Sequence, residues 1–525
     1  MAPRRPSGRH AFGRRFGGGP APLRVMKATR EREAKLGAWA GFKLPDLTGV
    51  ADGVTVRPLP ERRLDAVYFD TPDLRLARWG ASLRYRTGDG TGWTVKLADG
   101  DAGPALVRRE LTFQGTPSAI VPAEVAALVR AYARTSRLVA AARLRTVRRG
   151  VELLDAEGLR LAEVVDDEVS VFEGRRLASR FRELEVELEA DASTALLEAV
   201  VAALHRAGAG AVEPVPKVVR ALGARARERA ELVEEKPGRD ATAGDVVRNA
   251  MATSVIRILR HDAGVRIGDD PEDVHQARVG TRRLRSDLQT FESLLDADWL
   301  APMVDELKWL GGMLGAVRDA DVLLERLRRQ AATLAQSDGV GAATIVRRLV
   351  QQREVARAAL LDAMAGPRYV ALLDQLVLAA QNPMLRPEAD GKATAVLPPL
   401  VRKPWQKLAK AVKQLDDPPP DEQLHAVRIR AKRVRYAVEA VAPVVGKRAK
   451  ALASAVAGLQ TVLGDHQDAT VAEAWLREAA GDDDVSALVA GELIALERVE
   501  AEACRQAWRA AWRDAKDPKL RTWLP

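Results

Sequence analysis

VHQARVGTRRLRSDL, residues 274–288, returns as LHAVRIRAKRVRYAV at residues 424–438, and this repeat decides the fold of the second half of the chain. Each copy carries four basic side chains at matching positions: His275, Arg278, Arg282 and Arg285 in the first, and His425, Arg428, Lys432 and Arg435 in the second. On a helix each quartet lies within about 80° of arc, beside an apolar stripe. Like charges on neighbouring turns destabilise a helix unless an anion lies between them. The repeat therefore predicts two core-packed helices that each direct four basic groups at an anionic ligand.

A second pair of similar segments shows that the repeat is longer than one helix. LKWLGGMLGAVRDAD at 307–321 matches VAGLQTVLGDHQDA at 456–469, and a segment with four prolines, roughly 383–403, separates the two copies. Because there are only two copies and each is long, they favour a duplicated helical bundle over a solenoid. We predict an all-α domain at 245–520, made of two pseudo-symmetric four-helix bundles with halves at about 245–383 and 403–520.

The first half of the chain has the pattern of strands. Short segments in which polar and apolar residues alternate recur from about 26 to 190, separated by glycine-rich turns. The apolar helical segment at 194–207 is expected to cover the sheet. We predict an antiparallel α+β domain at 26–222, followed by a linker at 223–244.

The net charge of +10 is concentrated in one terminal segment. Residues 1–25 contain six arginines and no acid, so they supply six of the ten charges. Their glycine- and proline-rich composition predicts a disordered arm rather than a signal peptide, and Met26 is an alternative start. A basic site in the body of the protein must therefore come from local clustering of charges.

Other features of the composition exclude whole classes of protein. The single cysteine, Cys504, excludes a disulfide framework and a cysteine-rich zinc site, and it fits a reducing cytoplasm. No apolar run approaches the roughly 18 residues of a membrane span. We expect a cytoplasmic globular protein with no membrane partner.

Charged residues on the predicted strands alternate with apolar residues. The charged faces are those of Glu31, Glu33 and Lys35, of Arg84 and Arg86, and of Glu183, Glu185 and Glu187. Each face could be the solvent side of a sheet that packs under helices. If the sheet curls so that these faces point inward, they form a tunnel whose cations bind phosphate oxygens and whose carboxylates bind a hard divalent metal.

The strand segments resemble the CYTH family, the triphosphate tunnel metalloenzymes. The matching segments are EREAK, YFDTPDLRLARWGASLRYR, WTVKL, RRE, LRTVRRG and FRELEVELE, which cover about 26–222 in the family's order. The resemblance implies an antiparallel β-barrel or tunnel that binds a triphosphate or an organic phosphate together with Mg²⁺ or Mn²⁺.

The resemblance also assigns roles to individual residues. It implies phosphate ligands at Lys35, Arg84, Arg86, Lys96, Arg108, Arg145 and Arg148, with Lys217 as a further candidate that follows proline where the family often has serine. It implies metal ligands at Glu31, Glu33, Glu183 and Glu185, with Glu110 and Asp167 as weaker candidates. Glu31, Glu33 and Lys35 would form the catalytic motif.

The repeated helices resemble the CHAD domain, a helical module named for its conserved histidines. HQARVGTRRLR, LGAVRDADV, HAVRIRAKRVRY and LGDHQD carry the likeness over about 245–520. The resemblance implies a basic surface that binds inorganic polyphosphate through both quartets. Arg283 and Arg433 point away from each quartet, so they either line the edge of the site or pair with acids.

These observations support an enzyme, a metal-dependent phosphohydrolase of inorganic triphosphate or polyphosphate joined to a polyphosphate-binding module. The alternative is a non-catalytic polyphosphate-binding protein associated with polyphosphate granules. Nucleotide cyclisation uses the same grip on a triphosphate and also stays open. Nucleic acid is a weaker candidate ligand, because Tyr436 is the one aromatic residue within the basic stripes. Metal binding by the histidines is disfavoured, because neither quartet has a second His or Cys three or four residues from its histidine.

Overall fold

The computed structural model describes residues 25–88, 90–98, 106–213, 215–238, 240–480 and 484–524. The predicted basic arm, up to residue 24, lies outside these ranges. The chain forms two compact units. The first, the barrel unit, ends at Leu222, and the second, the helical unit, contains the chain from Gly223 together with Asp70–Trp79 and Ala127–Leu138.

Eight strands form the barrel unit. They are β1 (Val25–Gly37), β2 (Thr55–Asp70), β3 (Ser82–Thr87), β4 (Gly92–Ala98), β5 (Leu106–Phe113), β6 (Val139–Leu154), β7 (Arg160–Glu173) and β8 (Arg176–Leu188). Their order around the closed barrel is β1-β5-β4-β3-β2-β6-β7-β8. The paired strands run antiparallel, for example β1 with β5 and with β8. The predicted antiparallel tunnel fold is confirmed.

Short helices follow the strands along the chain: α1 (Arg75–Arg78), α2 (Ala123–Ala127), α3 (Arg130–Ala133), α4 (Thr194–Arg206) and α5 (Lys217–Leu222). The segments that contain α1 and α3 belong to the helical unit. Ser193 caps α4, because its side chain accepts a hydrogen bond from the backbone N–H of Leu196. The apolar face of α4 packs in one buried cluster with Leu184, Val186 and Leu188 of β8. Since side chains alternate along a strand, this outer packing turns the glutamates of β8 towards the barrel interior.

The helical unit is built from longer helices. They are α6 (Ala243–Ile267), α7 (Pro271–Thr290), α8 (Ala297–Ala331), α9 (Gly339–Ala365), α10 (Pro367–Gln381), α11 (Ala393–Val396), α12 (Pro398–Lys413), α13 (Asp421–Val445), α14 (Lys447–Ala479) and α15 (Asp484–Ala515). In the first half α6, α7, α8 and α9 pack in succession, and in the second half α12, α13, α14 and α15 do the same. The predicted pair of pseudo-symmetric four-helix bundles is confirmed. No helix in the described ranges combines the length and the apolar character needed to cross a membrane.

The two quartet helices, α7 and α13, pack against each other. Helix α7 begins where Asp270 accepts a hydrogen bond from the backbone N–H of Glu272, with Pro271 in the first turn. Val274, Ala277, Leu284 and Leu288 are buried on α7. Their counterparts on α13, Leu424, Val427, Val434 and Val438, are buried too. The apolar stripes therefore fix both helices on the core and set the direction in which the quartets point.

Candidate functional site: the barrel cavity and the helical cleft

The interior of the barrel contains a cavity of about 190 Å³ lined by charges of both signs. The lining cations are Lys35, Arg62, Arg84, Arg86, Lys96, Arg108, Arg148 and Lys217. The lining carboxylates are Glu33, Glu110, Glu163, Asp167, Glu185 and Glu187. Alternation along the strands produces this lining, because each strand aims every second side chain inward. The charged faces of these strands therefore point into the barrel and not towards solvent.

Lys217, at the start of α5, joins three carboxylates at one end of the cavity. Its Nζ lies 2.8 Å from Asp167 Oδ2, 2.9 Å from Glu183 Oε1 and 2.7 Å from Glu185 Oε1. Arg148 donates to both oxygens of Asp167, at 2.8 and 2.7 Å. Asp167 is fully buried, and these two cations hold its pKa well below the usual range although burial alone would raise it.

Lys35 and Glu33 lie on β1, in the EREAK segment, and both are buried. Lys35 Nζ lies 3.1 Å from Glu33 Oε2 and also pairs with Glu185, while Arg108 pairs with Glu33. Burial lowers the pKa of Lys35 to about 8; Glu33 opposes this shift, and the nearby charge of Lys217 adds to it. Burial would raise the pKa of Glu33, but Lys35 and Arg108 outweigh it and hold that pKa well below its usual range.

The opposite wall of the cavity is mainly cationic. Arg84 Nη1 donates to the hydroxyl of Tyr68 at 3.1 Å, and its guanidinium lies 5.9 Å from the centre of the Tyr68 ring. Lys96 Nζ lies 2.7 Å from Glu110 Oε2. Burial would raise the pKa of Tyr68, but the charge of Arg84 lowers it, so the phenol lies in a strongly positive field. Such a wall suits the oxygens of a phosphate chain.

Most of the sequence-predicted tunnel residues meet in this cavity, and two do not. Arg145 lies on the other face of β6 from Thr146 and Arg148, where its exposed side chain pairs with Asp65 at 3.1 Å. Arg145 is therefore not a phosphate ligand of the cavity. Glu183 is buried behind the lining and is engaged by Lys217 and, at 3.6 Å, by Arg220. The side chain of Glu31 lies outside the described part of the chain.

Sequence reasoning missed several lining residues. Arg62 and Tyr68 line the cavity from β2, and Arg62 pairs there with Glu163 of β7. Glu187 of β8, which the sequence analysis placed on a charged face without giving it a role, lines the cavity as well. The signal was available for all of these residues, because extending the alternation from Tyr68 back to Arg62, and from Asp167 back to Glu163, places them on the inner face.

The chemistry of the cavity fits a hard divalent cation, although no group of three or more His, Cys, Asp or Glu in the described ranges is arranged to hold a metal ion. Burial raises the pKa of Glu187, Lys96 opposes the shift, and the negative charges of Glu33, Glu110 and Glu163 add to it. Neighbouring carboxylates disfavour the ionised form of a carboxyl group, and a cation bound between them stabilises it. Oxygen ligands of this kind are those that Mg²⁺ and Mn²⁺ prefer.

In the helical unit, α7 and α13 bring members of both quartets together in one cleft. The pKa of Lys432 on α13 is lowered to about 8, first by burial and then by the charges of Arg428, Arg282 and Arg278. Two of these arginines come from α7, so the two halves of the repeat face one shared site. Burial, and after it the charge of Arg318 on α8, lowers the pKa of His275. Arg318, which the sequence analysis did not assign, belongs to the same basic cluster.

Several polar groups in this cleft lack a hydrogen-bond partner among the described residues. The Nε atoms of Arg282 and Arg428, Nδ1 of His425 and the hydroxyl of Tyr436 are buried without one. Tyr436 is itself 7% exposed, and the guanidiniums of Arg282 and Arg435 lie 5.5 and 5.7 Å from its ring centre. Buried polar groups are normally satisfied in folded proteins. These groups can be satisfied by an anionic ligand such as a phosphate chain.

Arg283 and Arg433, which occupy equivalent positions in the repeat, link the two helices. Arg283 on α7 pairs with Glu439 on α13, and with Asp287 at 3.0 Å. Arg433 on α13 donates to Oε1 of Gln289 on α7 at 2.6 Å. Residues 283 and 433 are equivalent in the repeat, and so are 289 and 439, because both pairs differ by 150 positions. Arg283 therefore fills both of its predicted roles, because it pairs with acids and also lines the cleft beside Tyr436. Arg433 donates to an amide and not to an acid.

A further pair of equivalent contacts orients the quartet arginines. Arg278 Nη1 lies 2.7 Å from Asp319 Oδ1 on α8, and Arg428 Nη2 lies 3.8 Å from Asp468 Oδ1 on α14. Each guanidinium also lies beside a glycine of the same neighbouring helix, Gly315 or Gly464. The LGxxxDA-like segments of the repeat therefore provide the carboxylate and the space that position one arginine in each half.

Comparison with known proteins finds the same two modules in the same order. Residues 31–221 match the CYTH domain and residues 249–477 match the CHAD domain. The uncharacterized protein MT2285 of Mycobacterium tuberculosis is 33% identical over 533 aligned residues, which cover 94% of this chain and 97% of that protein. PptA from Streptomyces chartreusis is 28% identical with a TM-score of 0.44, covering 52% of this chain and 100% of PptA. The CHAD domain from the plant Ricinus communis is 29% identical with a TM-score of 0.43, covering 54% of this chain and 95% of that domain.

Proposed function

Since the chain belongs to the family of proteins in which a CYTH domain precedes a CHAD domain, we propose that it hydrolyses inorganic triphosphate or polyphosphate in its barrel cavity and binds polyphosphate in its helical cleft. The observation that carries the proposal is the charge pattern of the cavity. Converging arginines and lysines are combined there with carboxylates in a closed barrel. Transfer of a phosphoryl group to water needs both kinds of group.

The residues of the cavity divide the work between them. Arg84, Arg86 and Lys96 bind the oxygens of the phosphate chain and stabilise the charge that develops on them. Glu33, Glu185 and Glu187 would hold the divalent metal, which, when bound, neutralises phosphate oxygens and lowers the pKa of a bound water. Glu33 stays ionised at neutral pH because of its low pKa, so it can also orient the attacking water through a hydrogen bond.

The cleft supports the binding part of the proposal. Its guanidiniums come from two helices, and several of their donors have no partner in the described part of the chain. Every phosphate of a repeating chain offers the same oxygens, so a guanidinium group can bind the chain at any point along its length. A linear polymer of phosphate therefore suits a cleft in which guanidiniums from two helices converge.

One observation favours a non-catalytic holder of polyphosphate instead. Glu33, Asp167 and Glu185 are all engaged by cations of the protein, so a metal has to compete with Lys35, Lys217 and Arg148 for them. In that alternative the barrel and the cleft both bind a phosphate polymer and neither turns it over.

A phosphate-release assay on the full chain tests the proposal. Triphosphate, ATP and long-chain polyphosphate are each supplied with Mg²⁺, with Mn²⁺ or with a chelator. We expect metal-dependent release of phosphate from an inorganic substrate, and its loss in Glu33→Gln. Binding of polyphosphate without release under any condition would favour the holder. Conversion of ATP to a cyclic nucleotide would identify a cyclase.

A further inference from the structure

Helix α12 carries basic residues that belong to neither site. Its sequence, PPLVRKPWQKLAKAVK, contains five basic residues and no acid. They are Arg402, Lys403, Lys407, Lys410 and Lys413, and all are exposed. On the helix they lie within about 140° of arc, opposite the buried side chains of Val401, Trp405 and Leu408. The charges therefore form one face of a fixed helix, which we call the α12 face.

This face has no internal counter-charge. Within the described ranges, none of its five basic residues pairs with a carboxylate or donates a side-chain hydrogen bond. Lys403 and Lys407 are four residues apart, and Lys410 and Lys413 are three apart, spacings at which like charges destabilise a helix. The arrangement is the one that an external anion stabilises.

The equivalent helix of the first half shows that the pattern is not a general property of the bundle. Helix α6 precedes α7 as α12 precedes α13. Its arginines have partners: Arg248 lies 3.0 Å from Asp245, Arg266 lies 2.8 Å from Asp262, and Arg257 donates to Gln276 at 3.2 Å. The two halves of the repeat therefore differ: the arginines of α6 have partners, whereas the basic residues of the α12 face have none within the described ranges.

The packing of α12 identifies the kind of partner. Trp405 stacks on Trp512 of α15 with ring centres 5.7 Å apart, and the Arg521 guanidinium lies 4.2 Å from the Trp405 ring. Since the apolar side of α12 is used inside the protein, it cannot insert into a lipid surface as an interfacial helix does. The exposed face offers no aromatic ring on which a base could stack. Lysines on flexible stems suit a flexible chain of phosphates, because they act as point charges without a fixed geometry.

We propose that the α12 face is a second contact surface for inorganic polyphosphate, which binds the part of a long chain that extends beyond the cleft of α7 and α13. The proposal rests on the proposed polyphosphate binding by the cleft. It makes affinity depend on chain length, because a short chain fills the cleft and only a long chain gains the extra contacts. The face also supplies ionic contacts whose strength falls as salt concentration rises.

The test compares long-chain polyphosphate with triphosphate on the full chain, using the triple variant Lys403→Gln, Lys407→Gln, Lys410→Gln. Glutamine keeps helix propensity while removing the charge. The matched control is Arg328→Gln, Arg329→Gln, Arg347→Gln, which removes three exposed charges from α8 and α9. We expect the α12 variant to bind the long chain at least tenfold more weakly, with a salt slope smaller by about 2 for three lost contacts at roughly 0.7 each. The α12 variant should bind triphosphate within about twofold of wild type, and the control should bind both ligands within about twofold of wild type. The circular dichroism spectrum of the α12 variant should match that of wild type.

Two results would overturn this inference. One is an unchanged affinity of the α12 variant for the long chain, and the other is an equal loss in the control. If single-stranded RNA or anionic vesicles lose binding in the α12 variant while polyphosphate does not, the face belongs to that other partner. Failure of the proposed function looks different, because the wild-type chain would then bind neither long nor short polyphosphate.

Discussion

Lys35 in the barrel and Lys432 in the helical cleft have the same perturbed pKa, about 8, for different reasons. Burial is the largest cause for both. Lys35 has Glu33 and Glu185 against its ammonium group, and the charges of Glu33 and Glu183 limit the fall of its pKa. Lys432 has mainly arginines around it, and their repulsion adds to the fall. One lysine lies in a site of mixed sign, and the other lies in a site where positive charge predominates.

The difference between these surroundings separates two ways of handling phosphate. In the barrel, eight lining cations face six carboxylates, so most of the positive charge is balanced within the site. In the cleft, positive charge exceeds negative charge, so an incoming polyanion gains more on binding. This difference fits the proposed function, in which the barrel acts on a few phosphates and the cleft holds a chain.

The largest effect is expected from breaking the balance in the barrel. Lys217→Met leaves buried Asp167 and Glu183 with less counter-charge, which should lower the free energy of unfolding by about 3–5 kcal/mol. The low pKa of Asp167 stabilises the fold above the unfolded-state pKa of about 3.9, and this contribution is lost as pH falls through the folded-state value. Because Lys217→Met removes a cause of the low pKa of Asp167, urea unfolding should show that the deficit of the variant relative to wild type is largest near neutral pH and narrows as pH falls below about 4. Arg145→Met, on the exposed face, should cost about 0–1 kcal/mol. Equal stability of Lys217→Met and wild type would mean that the lysine does not hold this cluster.

The next effect concerns catalysis and uses two arginines that sequence reasoning treated as equivalent. Arg84→Met removes a cation from the cavity wall and should lower the rate of phosphate release from triphosphate by about 10²–10³-fold. Arg145→Met should leave the rate within about twofold, because its guanidinium lies outside the cavity and pairs with Asp65. Steady-state kinetics on the two full-length variants decide the point. Equal loss in both would contradict the placement of Arg145.

These two arginines show what the sequence could and could not predict. Alternation placed Arg84, Lys96 and Glu185 on charged faces but left open whether those faces pointed inward, and the resemblance to the CYTH family predicted that they line a barrel. Arg145 was assigned by its position in the segment LRTVRRG. It is three residues from Arg148, however, so on a strand the two side chains point to opposite faces. The repeat predicted two quartet helices, but which groups converge depends on how α7 and α13 cross, and sequence spacing does not encode that angle. The link from Arg283 to Glu439 spans 156 residues and becomes visible only when the helices are docked.

A smaller effect should distinguish ligands from links within the cleft. Arg282→Gln removes a group with an unpartnered donor, and we expect about a tenfold loss of polyphosphate affinity and a salt slope smaller by roughly 0.7. Arg433→Gln removes the hydrogen bond to Gln289 at the edge of the helix pair, so it should leave the salt slope unchanged. Titrations at several salt concentrations separate the two roles. If both variants flatten the slope alike, Arg433 is itself a ligand.

The smallest effect follows from the sign of the Lys432 shift. The folded-state pKa of about 8 lies below the ordinary value of 10.5, so the unfolded chain binds more protons than the folded chain between these values. The stability of the ligand-free protein should therefore rise as pH increases from about 8 to 10.5, by less than about 1.4 kcal/mol per pH unit because solvent screens the cleft. The variant Lys432→Met lacks this increase in stability. Lys35, whose pKa is also about 8, contributes a similar increase in both wild type and Lys432→Met. Saturating polyphosphate should suppress the difference between wild type and Lys432→Met, because a bound polyanion restores the ordinary pKa of the lysine. A pH-dependent difference that persists with ligand bound would show that the chain of phosphates does not reach Lys432.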